Sequence, residues 1–299
     1  MRAELIALTT AVAQLTHDRD RHGVVRLARR DVAYIELPDF VISVQSAAIG
    51  WAPNGVFVNP MLDLARWSLG AHVQLRNRTL AAPGLVLSWP YRCAVVDLSV
   101  TRGCCAERVD ALLACLFPVV IPQADEMDCP VCTIGGVIKL SAPDIGPHLH
   151  ALSDRSQGRP VRPATVDALV GLGRGLTPEA DDLLCGVIAT QWALGVAPID
   201  ALAPGGHLSK AASSGRTTSL SATWLRLAIA GQTISPLLAL LHEVPGSEVW
   251  RHGLLELLRV GSTTGPSILS GAILALVGAV DDRTVRCPVR LERERGWRE

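Results

Sequence analysis

The hydrophobic pattern divides the chain into two halves. Between residues 23 and 100 the apolar residues form short β-branched runs that partly alternate with polar residues. Turn residues such as Pro53-Asn54-Gly55 and Pro83-Gly84 separate these runs. The predicted strands are GVVRLARRDVAYIEL, DFVISVQ, GVFV, HVQLRN, GLVLSW and CAVVDLSV. Several short strands within about 80 residues are typical of a small barrel or sandwich.

The second half has a helical pattern. Residues 103–117 predict one helix that ends at Pro118, and the Pro-, Gly-, Asp- and Ser-rich stretch 118–163 predicts a linker with one short helix. The later predicted helices are 164–171, 178–194, 217–230, 235–243, 246–259 and 266–280. We therefore predict an α+β fold. Its parts are a β-rich N-terminal barrel or sandwich domain with a terminal helix (1–117), the linker (118–163) and an α-helical C-terminal domain (164–299).

Composition narrows the classes of function. The chain has 299 residues, 49% of them hydrophobic and 19% charged, which is enough apolar surface for a buried core. Its net charge of zero and its 4% aromatic content argue against nucleic acid and membrane surfaces as partners. The first 15 residues contain Arg2 and Glu4 and lack the apolar core of a signal peptide. The run 268–280 is shorter than the ~20 residues of a membrane span. We expect a cytoplasmic protein.

The first candidate for chemistry is the segment 171–186, GLGRGLTPEADDLLCG. Thr177 is a favourable N-cap residue and Pro178 a favourable first helical residue, so a helix is predicted to begin here. Three carboxylates, Glu179, Asp181 and Asp182, occupy its first turn, where they complement the helix dipole. Arg174 has the wrong charge for this end of a helix, so we expect something negative to bind beside it.

Two further helix starts share this layout. The segment Ser213–Ser219 reads SSGRTTS, and Gly261–Ser267 reads GSTTGPS. Free N–H groups at helix N-termini bind anions, and hydroxyl groups add donors, so we expect the three starts to meet at one pocket for a small anionic metabolite. Arg216 requires a bound anion or a nearby carboxylate. The candidate binding residues are Arg174, Gly175, Thr177, Arg216, Thr217, Thr218, Ser219, Ser262, Thr263, Thr264 and Gly265.

Three motifs together resemble a known family. GLTPEADDLLCG, SGRTTS and GSTTGPSILSGAILAL are similar to a bacterial family described as a domain of unknown function, which includes a subunit of the oxamate carbamoyltransferase of allantoin (purine nitrogen) breakdown. The family pattern is Gly-Leu-Thr-Pro-Ser-Gly-Asp-Asp. Gly175, Leu176, Thr177, Pro178, Asp181 and Asp182 match it, whereas Glu179 and Ala180 replace Ser and Gly. The resemblance covers the C-terminal half well, and the N-terminal half only in length and β-rich character. SSGRTTS also resembles the Ser-x-Arg-Thr stretch with which carbamoyltransferases hold phosphate.

The resemblance implies a carbamoyltransferase-type activity. The carbamoyl group would be transferred between carbamoyl phosphate and a small nitrogen-containing acceptor. The chain would act in a complex with carbamoyltransferase-type partner subunits. Such a reaction needs donors for the phosphate and a group that accepts a proton from the nitrogen. Asp181 or Asp182 could be that base, position an acceptor amide or hold a metal. Because neighbouring helical side chains diverge by about 100°, we expect one aspartate to face the ligand and the other to cap or pair with Arg174.

Two alternatives remain open. The chain could be a non-catalytic subunit that binds a metabolite or serves as a scaffold, or a stand-alone hydrolase or lyase that acts on a small carboxylate. We expect neither a cofactor nor a metal. Cys129-Pro-Val-Cys132 with His148 and His150 could imitate a zinc site, but the histidines are too close in sequence and no second CxxC follows, so ordinary thiols are favoured.

Three other features have two interpretations each. His207 could be a general acid, but a histidine in a surface loop is favoured. Cys185 could be a nucleophile, but a small core residue is favoured. The segment 51–55, WAPNG, could be a loop that contacts the other domain or a plain turn.

Overall fold

The computed structural model describes residues 2–15, 20–90, 93–120, 148–149, 151–152, 162–196 and 206–280. The N-terminal half of this part of the chain is built on a nine-stranded sheet. Its strands are β1 (Arg2–Thr9), β2 (Arg21–Ala28), β3 (Val32–Glu36), β4 (Val41–Ser46), β5 (Gly55–Val58), β6 (His72–Arg76), β7 (Thr79–Ala82), β8 (Leu85–Ser88) and β9 (Ala94–Val96). The short helix α1 (Thr10–Leu15) follows β1.

The sheet curls into a half-barrel. The strand order is β5-β4-β3-β2-β6-β7-β8-β1-β9, and β1 also pairs with β5 from the opposite end of this order. Most neighbours are antiparallel, while β4–β5, β1–β8 and β1–β9 are parallel. The predicted α+β class, with a curled β-rich region before a helical one, is therefore confirmed.

Three parts of the sheet differ from the sequence-based expectation. The run GVVRLARRDVAYIEL, predicted as one strand, forms the two strands β2 and β3, which residues 29–31 separate. The strand β1 was not predicted, because its sequence RAELIALT begins with polar residues. The strand β7 was not predicted because TLAA contains two alanines and is only four residues long. Asn77 and Arg78, both at positive φ, form the two-residue turn between β6 and β7. That turn lacks the Asn-Gly signature by which such hairpins are recognised.

The two faces of β3 have different surroundings. Ala33 and Ile35 are fully buried in the core of the half-barrel, together with apolar side chains from the other strands. The alternate residues point the opposite way, and Tyr34 packs against the core of the helical region. Strand β3 therefore connects the two halves of the molecule.

The helical region contains most of the predicted helices. Its helices are α2 (Val109–Val120), α3 (Pro163–Leu169), α4 (Glu179–Ala193), α5 (His207–Ser213), α6 (Ser219–Ile229), α7 (Ser235–His242), α8 (Glu248–Arg259) and α9 (Thr264–Ala279). The prediction that Pro118 ends α2 is wrong, because a proline removes one backbone hydrogen bond but keeps helical φ. Helix α5 was not predicted.

Helices α4 and α9 pack with their backbones in contact. A Cβ atom on Gly186 would lie 2.0 Å from the carbonyl oxygen of Ile268, and one on Gly271 would lie 2.1 Å from that of Leu183. Only glycine permits this approach, which places the N-terminal ends of the two helices side by side.

Direct hydrogen bonds join the sheet to the helical region. The Trp224 indole Nε1–H donates to Asn54 Oδ1 (3.0 Å), and both atoms are buried. Trp51 and Ser235 exchange two hydrogen bonds of 2.9 Å, one from the Ser235 amide to the Trp51 carbonyl and one from the Trp51 amide to Ser235 Oγ. Of the two interpretations of residues 51–55, the domain-contact loop is confirmed.

The boundaries of the predicted domains stay a prediction, because the linker 118–163 lies mostly outside the described residues. Within the described part of the chain, no helix is both long and apolar enough to cross a membrane.

Candidate site at three helix N-termini

The N-termini of α4, α6 and α9 converge. The hydroxyl groups of Thr177, before α4, and Thr264, at the start of α9, are 2.8 Å apart. Before α6, Thr217 donates a hydrogen bond to Asp181 of α4, and Thr218 donates one of 2.5 Å to the carbonyl of Leu176. The expected meeting of the three hydroxyl-rich segments is confirmed.

Glycines before α4 permit tight contacts with the rest of this site. Gly171, Gly173 and Gly175 all have positive φ. A Cβ atom on Gly171 would lie 2.1 Å from the carbonyl oxygen of Arg216, and one on Gly173 would lie 1.8 Å from a carboxylate oxygen of Glu179. Because close packing requires these glycines, they are not explained by ligand binding alone.

The start of α4 differs from the prediction by one residue. Pro178, and not Thr177, occupies the N-cap position, with extended backbone (ψ 138°) and no side-chain capping hydrogen bond. The Thr177 hydroxyl instead forms a hydrogen bond with Thr264, so it links the starts of α4 and α9 and does not cap α4. The N–H groups before the helix are covered by its own carboxylates. Glu179 accepts the backbone N–H of Arg174 at 2.7 Å.

Asp181 binds the α4 and α6 starts together. Its side chain is fully buried and accepts the Gly171 N–H (2.9 Å), the Ser221 hydroxyl (2.8 Å) and the Thr217 hydroxyl. Burial raises the pKa of Asp181, and the three hydrogen bonds oppose this rise. The carboxyl group of Asp181 therefore has an evident structural role.

Asp182 is buried, and one of its carboxylate oxygens accepts no hydrogen bond from the described residues. The residue is 1% exposed, and its Oδ2 atom has no hydrogen-bond partner among the residues that the structure describes. Burial raises the pKa of Asp182 well above the usual range. Hydrogen bonds from Thr177 and Thr264 oppose this, and the charges of Asp181 and Glu179 add to it. A buried carboxyl group with a raised pKa is a candidate for proton transfer.

The expectation that one aspartate caps α4 or pairs with Arg174 is wrong. The Asp181 carboxylate accepts hydrogen bonds from the Gly171 N–H and from two hydroxyl groups, one just before α6 and one in its first turn. The Asp182 carboxyl group lies between two threonines. The Arg174 side chain is exposed, and no described residue pairs with its guanidinium group. The expected anion beside Arg174 stays a prediction.

Arg216 already has a carboxylate partner. It forms an ion pair with Asp167 of α3 and donates a second hydrogen bond to the Asp167 carbonyl oxygen. His207 also contacts the Asp167 carboxylate, at 3.0 Å. The hydrogen bond from His207, with further contributions from the charges of His207 and Arg216, lowers the pKa of Asp167. The interpretation of His207 as a loop residue is wrong, since it begins α5 and is half-buried.

Strand β3 of the sheet reaches the α6 start. The Ser219 hydroxyl donates to Glu36, which also forms an ion pair with Arg26. Thr218 caps α6 by accepting the Ser221 N–H at 3.1 Å. Tyr34 lies on the same face of β3 as Glu36, and burial together with the charge of Asp182 raises the pKa of its phenol group.

The other residues at the α9 start make fewer contacts within the candidate site. Gly265 is required for packing, because a Cβ atom there would lie 1.7 Å from the carbonyl oxygen of Leu257. Its N–H donates to the Val260 carbonyl at 2.9 Å. Ser262 and Thr263 are exposed just before Thr264.

Four residues at or near the site were not predicted from the sequence: Asp167, Ser221, Glu36 and Tyr34. Ser221 could have been found, because it lies in the first turn of α6, three residues after the capping residue Thr218. The other three lie on elements that local sequence patterns do not connect with the helix starts, as the 183-residue separation of Ser219 and Glu36 illustrates.

Within the described residues, no group of three or more side chains that could hold a metal ion occurs. Cys129, Cys132 and His150 lie outside them. Cys185 is buried, as favoured for a core residue. Burial and the charges of both aspartates raise the pKa of its thiol well above the usual range, which disfavours the nucleophilic thiolate.

A separate groove of ≈ 310 Å³ lies at the junction of the sheet and the helical region. It is lined by the loop 47–51 and by residues of α7 and α8, including His252 and Glu256. None of the candidate site residues lines it.

Comparison with protein families gave one finding. Residues 169–276 match the family model of the oxamate carbamoyltransferase subunit AllH. The matched segment contains all three converging helix starts, so the resemblance inferred from their motifs is confirmed over this range. Comparisons with curated proteins and with solved structures gave no match.

Proposed function

We propose, on the premise that residues 169–276 belong to the family of the oxamate carbamoyltransferase subunit AllH, that this chain is a subunit of a carbamoyltransferase. The enzyme would transfer the carbamoyl group between carbamoyl phosphate and a small nitrogen-containing acceptor such as oxamate. The observation that carries this proposal is the position of the family match, which covers the three helix starts that converge around two buried aspartates.

The chemistry of transfer fits groups at these helix starts. The acceptor nitrogen attacks the carbamoyl carbon, the bond from that carbon to the phosphate oxygen breaks, and a proton leaves the nitrogen. In this proposal Asp182 takes the proton, because its Oδ2 atom is unpaired and its pKa is raised by burial. The exposed guanidinium of Arg174 binds the phosphate charge. Asp181 is a positioning residue that holds the α4 and α6 starts together.

The burial of Asp182 supports a requirement for partner subunits. At 1% exposure, its carboxyl group cannot meet a substrate unless the site opens. We propose that assembly with carbamoyltransferase-type partners opens and completes the site. The same burial favours one alternative, in which this chain only binds a metabolite or holds the complex together while a partner performs the chemistry.

Reconstitution tests the proposal. The chain is expressed alone and together with carbamoyltransferase-type subunits encoded beside it. Phosphate release and carbamoylated oxamate are then measured with carbamoyl phosphate and oxamate as substrates. We expect transfer only from the assembled complex. Robust turnover by the chain alone, or a complex that transfers nothing to oxamate, would contradict the proposal.

Two variants separate a catalytic subunit from a scaffold. In the complex, Asp182→Asn keeps the shape of the side chain but removes its ability to accept the proton. We expect a loss of about 100-fold or more in kcat. Asp110→Asn, an exposed carboxylate in the first turn of α2, is the matched control and should leave kcat unchanged. Equal activity of both variants would favour the scaffold.

A further inference from the structure

Helix α8 carries a row of exposed residues on the side that faces away from the core. The row consists of Glu248, His252, Leu255 and Arg259, and all four residues are exposed. Their spacings of four, three and four place them along one face of the helix, as in the seam of a coiled coil. The residues of α8 that are buried in the helical region lie on the opposite side.

Exposed apolar side chains accompany this row. Leu255 is 55% exposed, and Val249, in the first turn of α8, is 57% exposed. Val249 and His252 line the groove of ≈ 310 Å³ between α8 and the loop 47–51, and Ile49 of that loop is exposed as well. Large apolar side chains gathered at an open groove are typical of a surface that another protein covers.

The row is complementary to itself when it is read in the opposite direction. Glu248 and Arg259 lie at its two ends, and His252 and Leu255 lie at equal distances from its centre. If two copies of α8 pack antiparallel around a two-fold axis, Glu248 of each copy lies opposite Arg259 of the other. In the same arrangement His252 lies opposite Leu255.

The side chain of Arg259 is already held on this side of α8. Its Nη1 atom donates to Glu256 Oε1 of the same helix at 3.1 Å, and the side chain is 73% exposed. A guanidinium group has five N–H donors, so it can bind a second carboxylate. The helix dipole explains a glutamate at the start of α8 and an arginine at its end, but it does not explain why Val249 and Leu255 are exposed beside them.

We propose that α8 forms the interface of a homodimer, in which the α8 helices of two copies of this chain pack antiparallel through Glu248, His252, Leu255 and Arg259. Dimerisation removes the apolar side chains at the groove from water. The two contacts between Glu248 and Arg259 favour the antiparallel arrangement, because parallel helices would bring like charges together. None of the candidate site residues lies on α8 or lines the groove, so the inference does not depend on the proposed function.

Sedimentation velocity of the purified full chain, measured over a range of protein concentrations, tests this proposal. We expect the wild type to form a dimer as the concentration rises, and high salt to weaken it. Leu255→Glu places two uncompensated charges in the symmetric interface and should weaken dimerisation about 100-fold or more. Leu69→Glu, at an exposed leucine between β5 and β6, is the matched control and should dimerise like the wild type.

A charge exchange tests the antiparallel arrangement. Glu248→Arg alone places two arginines opposite each other at both ends of the interface and should weaken dimerisation about tenfold or more. Arg259→Glu alone should have the same effect. The double variant restores opposite charges and should recover most of the wild-type affinity. Because residues 248 and 259 are about 16 Å apart along their own helix, recovery would report a contact between two copies.

Thermal unfolding of each variant verifies that it is folded. A wild-type chain that is still monomeric at about 0.1 mM, or a dimer that Leu255→Glu leaves intact, would overturn the proposal. A monomeric wild type whose Leu255→Glu variant no longer assembles with carbamoyltransferase-type subunits would also overturn it, because a different protein would then cover α8. A double variant that recovers no affinity would contradict the antiparallel arrangement.

Discussion

The half-barrel and the helical region bury different kinds of side chain. The buried polar residues of the sheet region are uncharged, as for Ser43 and Asn54. Among the described residues, the buried charged side chains are Glu179, Asp181 and Asp182, and all three belong to the first turn of α4. Burying a carboxylate is costly, so a protein that places three in one helical turn needs a compensating reason.

This difference in buried side chains separates the part of the molecule that contributes mainly to stability from the part that carries the candidate site. In the half-barrel, β6, β7 and β8 alternate buried and more exposed residues, whereas β4 and β5 are buried at every position. The helical region combines an equally apolar core with a polar cluster at its edge, where Asp181 is fully hydrogen-bonded and Asp182 is not. Polar burial without full satisfaction is typical of functional sites.

The largest effect is expected where α4 meets α9. Gly186→Ala should lower the free energy of unfolding by about 3 kcal/mol or more, because the new Cβ atom would lie 2.0 Å from a backbone oxygen. Gly70→Ala in the sheet region has open space around it and should cost only about 1 kcal/mol, from its positive φ. Denaturant unfolding of both variants measures the difference. Equal losses would mean that α4 and α9 are not packed through their glycines.

Asp181→Ala tests whether Asp181 is structural. The substitution leaves the Gly171 N–H and the Thr217 and Ser221 hydroxyls without their acceptor, so we expect a loss of about 3 kcal/mol. The control Asp110→Ala, at an exposed position, should change stability by about 0.5 kcal/mol or less. Denaturant unfolding near neutral pH provides the measurement. A loss no greater than that of the control would show that Asp181 does not hold the helix starts together.

The pH dependence of stability tests the raised pKa of Asp182. Its pKa is raised in the folded protein above the unfolded value of 3.8, so the folded state holds this proton more tightly. The contribution of Asp182 to stability is therefore full below pH 3.8 and is lost as the pH rises through the folded pKa. Asp182→Asn should gain stability over the wild type with rising pH. Parallel stability curves for the two proteins would show that Asp182 has no raised pKa.

The smallest effect is expected at Arg216. Its ion pair with Asp167 joins side chains that are 41% and 40% exposed, and such pairs contribute about 0–1 kcal/mol. Arg216→Ala should therefore lower stability by at most about 1 kcal/mol, and a double-mutant cycle with Asp167→Ala isolates the pair. A coupling well above this value would make Arg216 part of the structural core of the site.

Parts of this contrast can be predicted from sequence. The alternation of residues 23–100 predicts the curled sheet, and the shared Gly, Ser and Thr pattern predicts the meeting of the α4, α6 and α9 starts. Short-range patterns predict the sheet and the helix starts, because the spacing of apolar residues and the capping residues are local properties of the sequence. They also give the boundaries of α7, with an error of one residue.

The contacts that give each residue its role cannot be predicted in this way. Arg216 was expected to need an anion or a carboxylate, but Asp167 lies 49 residues earlier in the chain. The glycines before α4 were interpreted as exposing N–H groups, yet they are required by contacts with Arg216 and Glu179. Tyr34 lies on β3, and the local sequence of β3 shows an alternation of buried and more exposed residues that predicts a strand but not its contact with the helical region. Tertiary packing decides these roles.

The most direct test of the account is the activity of the complex with Asp182→Asn, measured on protein whose folding and assembly have been verified. We predict that carbamoyl transfer to oxamate falls about 100-fold or more while stability at neutral pH stays at or above the wild-type value. Wild-type transfer rates in that variant would contradict the claim that the Asp182 carboxyl group at the three helix N-termini accepts the proton.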